Sequence, residues 1–101
     1  MIGKKEKDFP HAIQYDWEME LKINGIDYFY ERAYIPEKNT YSLQFYEVTN
    51  DPDNTKYILN MKYKEGDDYV NKMLNSIIPK ENKKLKDCYD KIEVIFETLG
   101  E

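Results

Sequence analysis

The chain has 101 residues, of which 41% are hydrophobic and 35% charged, and a net charge of −5 at pH 7. This length supports one hydrophobic core and excludes a second one, while the apolar content excludes a wholly disordered chain. The single cysteine excludes an internal disulfide, and no apolar run approaches the roughly 18 residues of a membrane-spanning helix. We expect one domain over residues 15–101, no membrane segment and, by default, a cytoplasmic location.

The first 14 residues mix lysines and acids without a clear period. Pro10 biases Phe9 away from helical backbone, because the proline ring clashes with a helical preceding residue. The segment 1–14 is therefore predicted to be flexible or extended.

A β-hairpin is predicted around Asn24-Gly25. A two-residue type I′ turn needs positive φ at both central positions, and asparagine and glycine tolerate this best. Residues 15–23 alternate between apolar and charged side chains, which is the period of a strand with one buried face. Counting outward from the turn pairs this strand with residues 26–35, and the apolar sides of the two strands match.

Two further strands are predicted, at 40–48 and 56–64, each preceded by a loop rich in turn residues. Pairing Ile35 with Thr40, and Val48 with Lys56, keeps the apolar rows of all four strands on one face. A slip of one residue would send a whole row into water. The sequence thus predicts a four-stranded antiparallel β-meander whose lysine-rich last strand is an open edge.

The period changes to that of a helix after Gly66. A first helix is predicted over 67–78, capped by Asp67, and a second over 82–99. The apolar stripe of the second helix consists of Leu85, Cys88, Tyr89, Ile92, Ile95, Phe96 and Leu99. Packing both helices on one face of the sheet gives a two-layer α+β fold.

The opposite, outer face of the predicted sheet carries a row of apolar side chains. The register places Phe29, Tyr46 and Ile58 in this row, where a meander usually has polar residues. Three carboxylates flank the row: Glu18, Glu20 and Glu31, with the first and last directly opposite each other. Aromatic rings framed by charge are typical of interface centres, so these six residues are predicted to bind a partner protein. The alternative is that Phe9 and Ile13 fold over the row.

A second candidate surface lies on the predicted C-terminal helix. Four carboxylates share one outward sector of that helix: Asp87, Asp90, Glu93 and Glu97. A solvated helix face accounts for such a sector. The other interpretation is that it presents carboxylates to a basic groove, as a protein mimic of nucleic acid would.

The sequence contains no motif for catalysis, metal binding or cofactor binding. One histidine and one cysteine cannot form a zinc site, and Cys88 is expected to be a buried, inert thiol. Arg32 and Glu47 are the inward-facing polar residues of the sheet; they either line a pocket or lie at the edges of the face. We predict a protein without cofactor, metal or enzymatic activity.

These features favour a small module that acts by occupying another protein, as an inhibitor or immunity-type factor does. The excess of lysine over arginine indicates AT-rich coding, as in phages and mobile elements of low-GC bacteria. The alternative is a nucleic-acid-binding sheet in which Phe29 and Tyr46 stack on bases and lysines such as Lys56, Lys62 and Lys64 follow the phosphates. The negative net charge argues against that alternative. The chain is predicted to be a monomer or a homodimer formed through an edge strand.

Overall fold

A computed structural model describes residues 13–14 and 16–99, and these form an α+β fold built on an antiparallel sheet. The strands are β1 Asp16–Ile23, β2 Ile26–Ile35, β3 Thr40–Glu47, β4 Tyr57–Tyr63, β5 Ile77–Ile78, β6 Lys83–Lys84 and β7 Ile92–Leu99. Five of them make one sheet in the order β4-β3-β2-β1-β7, while β5 and β6 form a separate two-stranded ribbon. The predicted fold class is confirmed in outline, with one more strand in the sheet than expected.

The Asn24-Gly25 turn joins β1 and β2 in the predicted register. Both residues have positive φ, 52° and 85°, as the type I′ turn requires. Ile23 pairs with Ile26, and the pairing continues outward to Glu18 and Glu31. The alternation before and after the turn therefore positions the side chains from Glu18 to Glu31 on their predicted faces.

The observed sheet differs from the predicted one by a β-bulge in β4. The β3–β4 register is as predicted from Tyr41 and Tyr63 to Phe45 and Leu59, but then shifts so that Tyr46 pairs with Tyr57. Such a bulge places two residues opposite one. Ile58 packs against the core, and Tyr57 instead lies beside Tyr46. The predicted outward position of Ile58 is wrong, because the turn count assumed uninterrupted pairing.

The second predicted helix, 82–99, does not form. Its residues make β6, a 3₁₀ helix from Leu85 to Lys91, and β7. β7 pairs antiparallel with β1, setting Ile92 opposite Ile23. Backbone N–H and C=O groups along the outer edge of β1 need partners, and the β-branched residues of β7 fit a pleated sheet well. Pairing in the sheet therefore overrides the helical period.

The first predicted helix is present but shorter than expected. It is α1, Tyr69–Leu74, and its N-cap is Asp68, whose carboxylate accepts a hydrogen bond from the backbone N–H of Asn71. No helix in the described part of the chain is long and apolar enough to cross a membrane.

The hydrophobic core lies between the inner face of the sheet and the segment from α1 to the 3₁₀ helix. The covering segment contributes Met73, Ile78, Leu85 and Cys88, all buried. Ile13 is also fully buried there, and the Tyr30 hydroxyl donates to its carbonyl oxygen. Ile13 thus lies on the face opposite the outer row, which contradicts the alternative in which it covers that row. Phe9 and the rest of segment 1–12 lie outside the described residues.

Arg32 and Glu47 have different neighbours. The Arg32 guanidinium carbon lies 4.7 Å from the Trp17 ring centroid and 5.3 Å from that of Tyr69. Glu47 instead accepts a hydrogen bond of 3.0 Å from the Lys80 ammonium. Both polar groups are therefore stabilised at the margins of the inner face by partners from other elements.

Candidate functional site

A groove of about 370 Å³ lies on the outer face of the sheet. Three aromatic rings line it: the Phe29 and Tyr46 centroids are 5.9 Å apart with planes inclined at 45°, and Tyr46 and Tyr57 are 5.6 Å apart at 80°. Glu20 and Glu31 belong to the same lining. The remaining lining residues are Glu47, Val48, Thr49 and Thr55. We call this feature the outer groove.

The sheet itself places the key side chains in one row across four strands. Glu20 on β1 pairs with Phe29 on β2, Phe29 with Tyr46 on β3, and Tyr46 with Tyr57 on β4. The bulge brings Tyr57 into this row, with 47% of the residue exposed. Because each ring stands on a hydrogen-bonded strand, the strand pairing fixes the relative positions of the three rings.

Negative charge accumulates beside the aromatic rings. Glu18 and Glu31 are directly opposite each other across β1 and β2. Burial, and then the neighbouring Glu18 carboxylate, raise the pKa of Glu31. Burial also raises the pKa of Tyr46, with Glu31 the next cause. The outer groove therefore combines partly buried rings with one partly buried carboxylate, that of Glu31, which Glu18 repels across the strand pair.

We expect Glu31→Gln to raise the free energy of unfolding at pH 7 by about 0.5 kcal/mol, since like charges directly opposite each other destabilise a sheet. The pKa of Glu31 is raised in the folded state, so stability falls as the pH rises above the unfolded-state pKa, and the penalty is complete above the folded-state pKa. The penalty disappears below the unfolded-state pKa, where both states are protonated. Urea unfolding at pH 7 and near pH 3 measures the difference.

The control for this comparison is Glu37→Gln, because Glu37 is exposed in the 3₁₀ turn Pro36–Lys38. A gain for Glu31→Gln that is the same at both pH values would contradict the electrostatic explanation.

The four carboxylates of the second candidate surface are distributed over two elements. Asp87 and Asp90 lie in the 3₁₀ helix, while Glu93 and Glu97 lie on β7, opposite Lys22 and Met19 respectively. The predicted helix 82–99, on which the four carboxylates would share one sector, does not form. The acidic sector predicted on its surface is therefore not formed as described.

Most of the predicted partner-binding residues do come together. Glu20, Phe29, Glu31 and Tyr46 line the outer groove, and Glu18 adjoins it as the cross-strand neighbour of Glu31. Sequence reasoning missed Tyr57. The sequence does carry a signal for it, because Tyr57, Ile58 and Leu59 are three consecutive large apolar residues that break the alternation, as a bulge does.

Neither a metal centre nor a reactive thiol is found in the described residues. No group of three or more histidine, cysteine or acidic side chains within 13–14 and 16–99 is arranged to hold a metal ion. Cys88 is buried, burial raises the pKa of its thiol, and the sulfur donates to the Lys84 carbonyl oxygen at 3.4 Å. A buried thiol with a raised pKa is a poor nucleophile.

Comparisons with known proteins yield no match to a family model, to a curated protein or to a solved structure. Function can therefore be argued only from the residues themselves. The outer groove combines concavity, aromatic surface and charge within the described part of the chain.

Proposed function

We propose that this protein is a small non-enzymatic module that binds a partner protein through the outer groove. It acts by occupying a surface of that partner, as an inhibitor or immunity-type factor does. The observation that carries the proposal is the row of Phe29, Tyr46 and Tyr57, which lines a groove rimmed by carboxylates. The hypothesis of a phage or mobile-element origin rests on composition alone.

The composition and rigidity of the groove support this function. Tyrosine and phenylalanine are enriched at the centres of protein interfaces, where they supply large contact areas at a low cost in side-chain entropy. Val48 and Tyr57, at 46% and 47% exposure, add apolar surface at one end of the groove. Residues held on paired strands lose little further freedom on binding.

The nucleic-acid alternative fits this surface less well. The rings that would stack on bases lie beside Glu20 and Glu31, and Glu18 adds a third carboxylate. Phosphates are repelled by such a cluster. We therefore keep partner-protein binding as the proposed function.

We expect Tyr46→Ala to weaken partner binding at least about tenfold, since truncating a central aromatic anchor typically costs that much or more. The test is quantitative mass spectrometry of proteins captured from a native-host lysate by the tagged wild type and by Tyr46→Ala. Tyr34→Ala is the matched control, because Tyr34 is an exposed tyrosine, at 44%, outside the outer groove.

A partner retained by the wild type and by Tyr34→Ala, but lost by Tyr46→Ala, is the expected outcome. Thermal unfolding followed by circular dichroism confirms that the variants are folded. If folded Tyr46→Ala captures every protein that the wild type captures, to the same extent, the proposed function is wrong.

A further inference from the structure

We propose that the outer groove recognises a positively charged side chain, an arginine or a lysine, on an exposed segment of the partner protein. This inference rests on the proposed function and specifies the chemistry of the partner. It follows from the joint placement of the three rings and the three carboxylates Glu18, Glu20 and Glu31.

The aromatic rings supply surfaces to which a cation is attracted. Tyr46 and Tyr57 are arranged edge to face, with their planes at 80°, and Phe29 is the neighbour of Tyr46 on β2. The faces of such rings carry the negative part of the aromatic quadrupole, which attracts ammonium and guanidinium groups. An apolar partner side chain would gain from burial here, but it would leave the adjoining carboxylates without compensation.

The carboxylates indicate that the bound side chain carries a positive charge. Glu20 pairs with Phe29, and Glu31 follows Phe29 two positions along β2 on the same face, opposite Glu18. Glu47, which also lines the groove, is paired with Lys80 at 3.0 Å, so the inferred recognition of a cation rests on the other acids, Glu18, Glu20 and Glu31. A cation entering the groove would relieve the repulsion between Glu31 and Glu18 and would compensate the charge of the partly buried Glu31 carboxylate.

The size of the groove favours one side chain over a folded element. Its volume, about 370 Å³, is near the lower end of the range of roughly 300–1,000 Å³ for ligand pockets. Lysine and arginine have long apolar stems that can lie along the rings while the charged end reaches the carboxylates. Arginine can additionally stack its flat guanidinium group on a ring.

The test uses short synthetic peptides and nuclear magnetic resonance. The probes are acetyl-Gly-Ser-X-Ser-Gly-amide, in which X is arginine, lysine, or the neutral analogue of each, citrulline or norleucine. We expect the charged peptides to shift the resonances of Phe29, Tyr46 and Tyr57 and to bind about tenfold more tightly than the neutral ones, less so at high salt. Glu31→Gln should weaken their binding about threefold, while Glu37→Gln should not change it.

Two outcomes separate this inference from the proposed function. Equal binding of charged and neutral peptides, or no shift of the groove resonances by either, overturns cation recognition, even if Tyr46→Ala still loses a captured partner. In that case the protein-binding function stands without it. If charged peptides bind but no captured protein depends on Tyr46, cation recognition by the groove is supported and the protein-binding function is wrong.

Discussion

Replacing Ile92 by alanine is expected to lower the free energy of unfolding by about 3 kcal/mol, while Ile95→Ala lowers it by less than about 1 kcal/mol. Ile92 is fully buried opposite Ile23, whereas Ile95 is 43% exposed at the irregularity in the pairing of β7 with β1. The first substitution removes apolar contacts and leaves a cavity in the core. The second removes a side chain that already contacts water.

The two substitutions are chemically identical, so the comparison distinguishes a strand from a helix. On the helix predicted over 82–99, both isoleucines belong to the buried stripe and should cost similar amounts. Chemical denaturation of the wild type and the two variants gives the free energies, and equal slopes against denaturant show that the unfolded states are comparable. Equal losses for Ile92→Ala and Ile95→Ala would contradict the strand β7.

The part of the fold that sequence predicts well is the part that local rules govern. The Asn24-Gly25 turn leaves little choice of geometry, and the strict alternation leaves a single register that buries the apolar rows. The register could therefore be continued across β2 and β3, where the observed pairing of Ile35 with Thr40 agrees with the predicted one. This is why the sequence predicts the correct face for Phe29 and Tyr46.

The errors arise where pairing between distant segments decides the structure. Ile92 and Val94 fit a strand period, and Ile92 also fits a helical one, so the sequence from 92 onward satisfies both patterns. The choice between them depends on the exposed edge of β1, about 70 residues earlier, which a local pattern does not report. The bulge at Ile58 is a similar case. One extra residue in β4 turns Ile58 toward the core and Tyr57 toward the outer face, and the amino-acid composition of the strand does not report this shift.

The position of Ile13 relative to the outer groove also depends on contacts between distant segments. The sequence is compatible with two positions for Ile13, one over the aromatic row of the outer face and one away from it. In the structure Ile13 is buried on the inner face, and the Tyr30 hydroxyl donates a hydrogen bond to the Ile13 carbonyl oxygen. The residues that line the groove thus do so without contribution from Ile13, and the pKa of Glu31 beside the rings is raised by burial and by Glu18.

Ile13→Ala is expected to lower the free energy of unfolding by about 2–5 kcal/mol, because Ile13 is fully buried among core side chains. Its neighbour supplies the control. Gln14 is exposed, and the Tyr69 hydroxyl donates to its backbone carbonyl oxygen at 2.8 Å, a bond that alanine at this position can keep, so Gln14→Ala should change stability by no more than about 0.5 kcal/mol. Denaturant unfolding monitored by Trp17 fluorescence measures both variants.

The destabilised variant also tests which face the N-terminal segment occupies. Because Ile13 lies on the inner face, folded Ile13→Ala should bind the arginine peptide at the outer groove with unchanged affinity once the unfolded fraction is subtracted. A segment that covered the groove would have to be displaced by the peptide, so weakening its attachment would tighten binding. An increase in affinity together with a small loss of stability would therefore place Ile13 over the aromatic row and contradict the inner-face position. A large loss of stability with constant affinity is the result that the packing of Ile13 requires.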